Sequence, residues 1–212
     1  MTTKFVNTMS SAISKDEALN YLDTFRKFII NNDIPAAING NANYLAALGL
    51  SAYTESMGGL YCWDLKGELR KHYLSFIQDF FPPDYMKVDG DLNSAGTGLY
   101  NIVRNGLTHE YFIKGFSKIV MDSPVGQTPL CGITYNKQSS SQIVFYVNQY
   151  FTDFKNAFEQ YYEQLKNDTS GSMLKNFENA LDSIKSDLIG KLPTDFSKDV
   201  SGNAIWLIQG CA

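Results

Sequence analysis

The chain has 212 residues, 44% of them hydrophobic and 19% charged, with a formal net charge of −4. That length is ample for a full core, and the composition is ordinary for a globular chain. The acidic balance argues against a broad nonspecific nucleic-acid surface, which is usually basic, and leaves room for a small local positive patch.

Residues 1–13 are polar and are expected to be a flexible N-terminus. They lack the basic region and apolar run of a signal peptide. Ser14-Lys15-Asp16-Glu17 has capping-box spacing, and Leu19, Leu22, Phe25 and Ile29 then recur at helical spacing to about Asn31. Pro35 suits the first turn of a second helix, which is expected to run to about Trp63 with a bend at Gly58-Gly59. Its stretch Tyr44–Leu60 is apolar but contains Thr54 and Glu55. It falls short of the ~20 apolar residues of a membrane span, so it reads as a buried central helix. A third helix spans Lys66 to Phe80, stopped by Pro82-Pro83. Residues 84–92 read as a polar loop, and a fourth helix runs from near Asn93 to about Tyr111. Four helices so connected fit a bundle.

Ser117–Met121, Gly132–Tyr135 and Gln142–Val147 are short apolar or β-branched runs between turn-forming stretches, which predicts a small antiparallel meander at about 116–147. Tyr150, Phe154, Phe158, Tyr161 and Leu165 form an aromatic stripe at helical spacing, more often core than a base-stacking platform. Asn167–Ser172 is a flexible break, and Leu174, Phe177, Leu181, Ile184 and Leu188 mark a last amphipathic helix. In the tail, Ile205-Trp206-Leu207-Ile208 either adds a strand or plugs a groove. The reading is thus a bundle over 14–166 that includes the meander, with a C-terminal helix and tail, 172–212, packed on it.

Chemistry concentrates at Arg104-Asn105-Gly106-Leu107-Thr108-His109-Glu110-Tyr111, which holds one of two histidines. On a helical wheel Leu99, Ile102, Val103, Gly106 and Leu107 share one face, expected to be buried. Arg104, Asn105, Thr108 and His109 fall opposite. Asn105 and His109 are four apart, so the amide is placed to orient the imidazole. Arg104 and His109 diverge by roughly 140° at about 100° per residue. Gly106 inside a helix costs about 1 kcal/mol relative to alanine, which close approach of another backbone or a ligand would offset.

The run resembles the signature of the HEPN domains, small helical bundles that are often metal-independent RNases. The match comprises Arg104, Asn105 and His109, and Tyr111 extends it to the Arg-x4-His-x-Tyr variant of HEPN–nucleotidyltransferase toxin–antitoxin pairs. The resemblance covers roughly residues 14–112. It implies a mainly α, antiparallel HEPN-like bundle that forms a homodimer, with two Arg/His sets lining one cleft, RNA as substrate and a nucleotidyltransferase antitoxin as partner. His109 would move the proton in attack by the RNA 2′-hydroxyl, and Arg104 would stabilise charge on the phosphate. Thr108 and Glu110 would support them. Tyr111 is a candidate for nucleotidylation, or else an aromatic anchor closing the helix.

Without the resemblance, a surface arginine and a helix-terminal histidine would be the better reading. The rival function is a non-catalytic dimeric HEPN-like module that binds a nucleotide or a protein. Glu110 falls on the core face if the helix reaches it, pairing with a basic group or marking fraying. Glu55 is either a buried hydrogen-bonding group or a polar wall of the cleft. His72, beside Arg70 and Lys71, reads as part of a solvated face. Cys62, Cys131 and Cys211 are odd in number and far apart, which fits a cytoplasmic location better than a disulfide framework. No zinc-like spacing is present, so no metal or cofactor is expected.

Overall fold

The computed structural model describes residues 13–109, 117–136 and 142–191, the last eight of these as backbone. The chain is mainly helical with one small sheet. Helix α1 (Lys15–Phe25) opens on the expected capping box. Ser14 Oγ accepts the Glu17 N–H at 3.2 Å, and the Ser14 N–H donates to Glu17 Oε2 at 2.8 Å. The helix does not stop near Asn31. It continues through a π-helical stretch, Arg26–Asp33, into α2 (Ile34–Asn39). Pro35 cannot donate to an α ladder and its ring crowds the preceding turn; the wider π turn lies directly before it.

The expected second helix is divided. Asn41, with φ 54°, takes the left-handed conformation that asparagine tolerates, and α3 (Asn43–Tyr61) starts afresh beyond it. Helix α3 runs unbroken through Gly58-Gly59. The glycines instead admit α4 (Leu69–Phe80), because a Cβ on Gly58 would overlap the His72 carbonyl. His72 is therefore buried, 4% exposed, and belongs to no solvated face. Burial also pushes its imidazole below the ordinary histidine pKa.

The loop expected at 84–92 is a helix, α5 (Asp84–Ser94), burying Tyr85, Asp89 and Leu92. Its inward face includes a carboxylate, which hides the apolar period. Gly96 and Gly98, at φ 85° and 134°, then break the chain, so the motif helix begins at Leu99 and not near Asn93. It runs as a π-helical stretch, Tyr100–Asn105, followed by α6 (Gly106–His109).

Strands β1 (Ser117–Val120), β2 (Ile133–Asn136) and β3 (Gln142–Tyr146) form a sheet of order β1-β3-β2. It is not an antiparallel meander. β1 runs parallel to β3, Ser117 opposite Ile143, and only β2 pairs antiparallel with it. The connection from β1 to β2 contains Pro124, Gly126 and Pro129 and is too long for a tight hairpin, so β2 takes the far edge of β3.

Helix α7 (Val147–Asn167) carries the aromatic stripe into the centre. Tyr150, Phe154, Phe158, Tyr161 and Leu165 are all fully buried. Around them pack Phe25, Phe76, Phe80, Phe81, Tyr85 and Phe145, mostly as edge-on or tilted ring pairs. The turn at 168–171 is hydrogen-bonded through Asp168, which accepts from Ser170 and from the backbone N–H groups of Ser170, Gly171 and Met173. These bonds, the Ser170 hydroxyl foremost, hold its carboxyl down at about 2. Helix α8 (Ser172–Lys191) follows and seals Phe177 against α1 and α3, with Tyr21 edge-on to the Phe177 ring.

Candidate functional site

The motif helix is anchored at its start by a chain of polar side chains. Asp89 Oδ1 accepts the Leu99 N–H at 2.8 Å, satisfying one of the orphan donors of a helix N-terminus. Asp89 Oδ2 accepts from Asn93 Nδ2 at 2.7 Å, and Asn93 Oδ1 accepts from Arg70 at 3.1 Å. Leu99, Ile102, Val103, Gly106 and Leu107 face inward and are buried, as the wheel predicts. Tyr100 joins them at 7% exposure. Near its other end the Tyr44 hydroxyl on α3 donates to the Leu107 carbonyl. Both ends of the segment are thus tied to the body of the chain.

Gly106 is buried within this chain, where α6 packs on α3. Its burial comes from this chain alone, with no second copy needed to cover it.

Arg104 is engaged. Its Nη2 donates to Glu55 Oε1 at 2.7 Å, and its Nε lies 2.7 Å from Oε2, an ion-pair contact whose N–H points off the hydrogen-bond line. The two side chains are only 17% and 11% exposed. Tyr100 donates to the same Glu55 Oε2 at 2.9 Å. Burial, and then the bond to Glu55, push the Tyr100 hydroxyl up to about 12, so it stays a donor at neutral pH. On its outer edge Arg104 Nη1 reaches the Thr108 hydroxyl at 3.3 Å, which in turn donates to the Arg104 carbonyl at 2.8 Å.

Glu55 therefore resolves to the buried hydrogen-bonding group of its two readings. It is the sole charged residue of α3. A lone carboxylate on an otherwise apolar helix demands a cationic or hydrogen-bonding partner, and that was the available signal. Its neighbour Thr54 is used similarly: its hydroxyl lies 3.0 Å from that of Tyr150, which lies 3.1 Å from that of Tyr73.

Asn105 does not orient His109. Its amide donates to Asn101 Oδ1 at 3.3 Å, one turn back. His109 ends α6 and is exposed, as is Thr108. Glu110 and Tyr111 lie outside the described residues. Among the described residues no group of three or more His, Cys, Asp or Glu side chains is placed to hold a metal ion, and no helix is long and apolar enough to cross a membrane. Cys62 and Cys131 are free thiols; burial pushes both upward, Cys131 to about 11, which makes them poor nucleophiles. Comparisons with protein-family models, with curated proteins and with solved structures find no match to this chain.

Proposed function

We propose that the chain is a HEPN-like metal-independent endoribonuclease, the toxin of a toxin–antitoxin or defence system. The observation that supports this is the segment Leu99–His109, whose apolar face is buried while Thr108 and His109 are exposed, with Arg104 one turn back from Thr108 and bonded to it. His109 is exposed at the helix end, where its imidazole is accessible to a substrate and can serve as the proton-transfer group. Arg104 supplies a guanidinium fork for the phosphate oxygens. In this reading the 2′-hydroxyl attacks the adjacent phosphorus, the 5′-oxygen leaves, and the products carry a 2′,3′-cyclic phosphate and a 5′-hydroxyl. Two copies would pair to complete the cleft, and a nucleotidyltransferase would silence the toxin at Tyr111.

The Glu55–Arg104 pair favours a second reading: a non-catalytic dimeric module in which this arginine is structural. The test is incubation of purified protein with a mixed RNA pool in EDTA, followed by sequencing of the product ends. Cyclic-phosphate ends are expected, and His109→Ala is expected to lower the rate by ~10²–10⁴-fold. If wild type and His109→Ala cleave identically, or neither cleaves, the binding-module reading takes over.

A further inference from the structure

Arg104 presents a contradiction to any role in phosphate recognition. Its guanidinium is mostly buried, and the edge formed by Nε and Nη2 is already occupied by Glu55, both atoms 2.7 Å from a carboxylate oxygen. That edge is the one whose parallel N–H groups match a carboxylate or a phosphate equally well. An incoming phosphate oxygen and Glu55 therefore compete for the Nη2 donor and for the positive charge of that edge. The remaining edge, Nη1, faces the exposed Thr108 hydroxyl, so the guanidinium reaches solvent on that side.

Glu55 is not loosely held. The Tyr100 hydroxyl also donates to Oε2, and Tyr100 is itself edge-on against fully buried Tyr73. When a phosphate takes the guanidinium, Glu55 keeps the Tyr100 hydroxyl as a donor, so displacement costs the ion pair but not the last hydrogen bond. The arrangement provides Glu55 with two holds and Arg104 with two acceptors.

We infer that Arg104 is a phosphate-class anion site closed by an internal carboxylate, and that a phosphate group binds there only by displacing Glu55 from the guanidinium. The inference rests on the proposed reading insofar as the anion is taken to be an RNA phosphate; the competition itself does not depend on cleavage. Glu55 then acts as a positioning residue. It keeps the guanidinium oriented when the site is empty and weakens its hold on stray anions.

The chain contains three arginines, Arg26, Arg70 and Arg104. Their Nε–H resonances, assigned by Arg→Lys substitution one at a time, report directly on the competition when the full chain is titrated with inorganic phosphate at constant ionic strength. In the wild type, Arg104 is expected to respond only at high phosphate, with Arg26 and Arg70 unmoved and chloride without effect. Glu55→Gln keeps the shape and the acceptor oxygen but removes the charge, and should bring the Arg104 response to about tenfold lower phosphate or less. Equal responses in wild type and Glu55→Gln would overturn the competition. No Arg104 response at the highest phosphate in the wild type would overturn the anion site, whether or not the variant folds. Because the readout is binding, phosphate capture by Glu55→Gln without RNA cleavage would retain this inference and sink the ribonuclease reading.

Discussion

At the scale of single residues, Arg104 changes from a surface group on a helical wheel to half of a buried ion pair. The sequence showed the arginine and, separately, the carboxylate on α3, but not that the fold joins them; pairing across 49 positions depends on how α3 meets the motif helix. The consequence for mutagenesis is specific. Arg104→Ala leaves Glu55 buried beside Tyr100 without its counter-ion and is expected to cost about 3–5 kcal/mol in urea unfolding. Arg104→Ala combined with Glu55→Gln should recover a good part of that loss, so loss of activity in the single variant would not by itself identify a catalytic role. His72 makes a second prediction. Its Nδ1 is buried with no hydrogen-bond partner, and desolvation, first among the influences on it, lowers its pKa. The unfolded chain, with its histidine near 6.5, then binds the proton more tightly than the folded chain, so stability is lost as pH falls below that value. Melting temperatures measured from about pH 7.5 to 6 should decline in the wild type and flatten in His72→Phe, with the unfolded reference near 6.5 setting the window.

At the scale of elements, the capping box at Ser14, the stop at Pro82-Pro83 and the α7 stripe were legible because each is a local or strictly periodic signal. Helix α5 was not, because Asp89 occupies one of its three buried positions and serves the next helix by accepting the Leu99 N–H. Nor were the π-helical stretches, where one extra residue per turn breaks the 3.6-residue count. Gly58 was legible as unusual but not as what it is. It reads locally as a bend, and only the position of α4 makes it a contact surface between helices. Gly58→Ala would normally raise helix propensity. Here the added methyl meets the backbone at His72, which cannot rotate away, so the substitution is expected to destabilise by about 1–3 kcal/mol in a denaturant titration. A gain in stability would mean that α3 and α4 can separate without penalty.

At the scale of the whole molecule, the balance of helix and a small sheet was readable, and the order of strands was not. β1 pairs parallel with β3, which leads directly into α7, and short apolar runs alone do not distinguish parallel from antiparallel pairing. The sheet is built into the core rather than laid on its end. Phe145 stacks on Tyr150 at 4.8 Å between ring centres, Ile133 and Phe145 are fully buried, and the Gly132 N–H donates to the Tyr85 hydroxyl and to Asp153. Removing residues 117–146 is therefore expected to abolish the cooperative thermal transition. Retention of native helical circular dichroism with a sharp melt would show that the helices form a core without it. The proposed pairing of two motif helices, by contrast, would be a matter of surface complementarity between copies, and the sequence bears on it only through the resemblance.

The central place of α7 has a consequence for how the chain comes to exist. Synthesis runs from the N-terminus, and the stripe Tyr150–Leu165 emerges after α1 to α5 and the sheet. Those earlier elements direct Phe25, Phe76, Phe80 and Tyr85 toward a centre that is not yet there. A chain made only as far as the sheet would therefore hold these aromatic side chains without their central partners, a surface of the kind chaperones bind, until α7 is made.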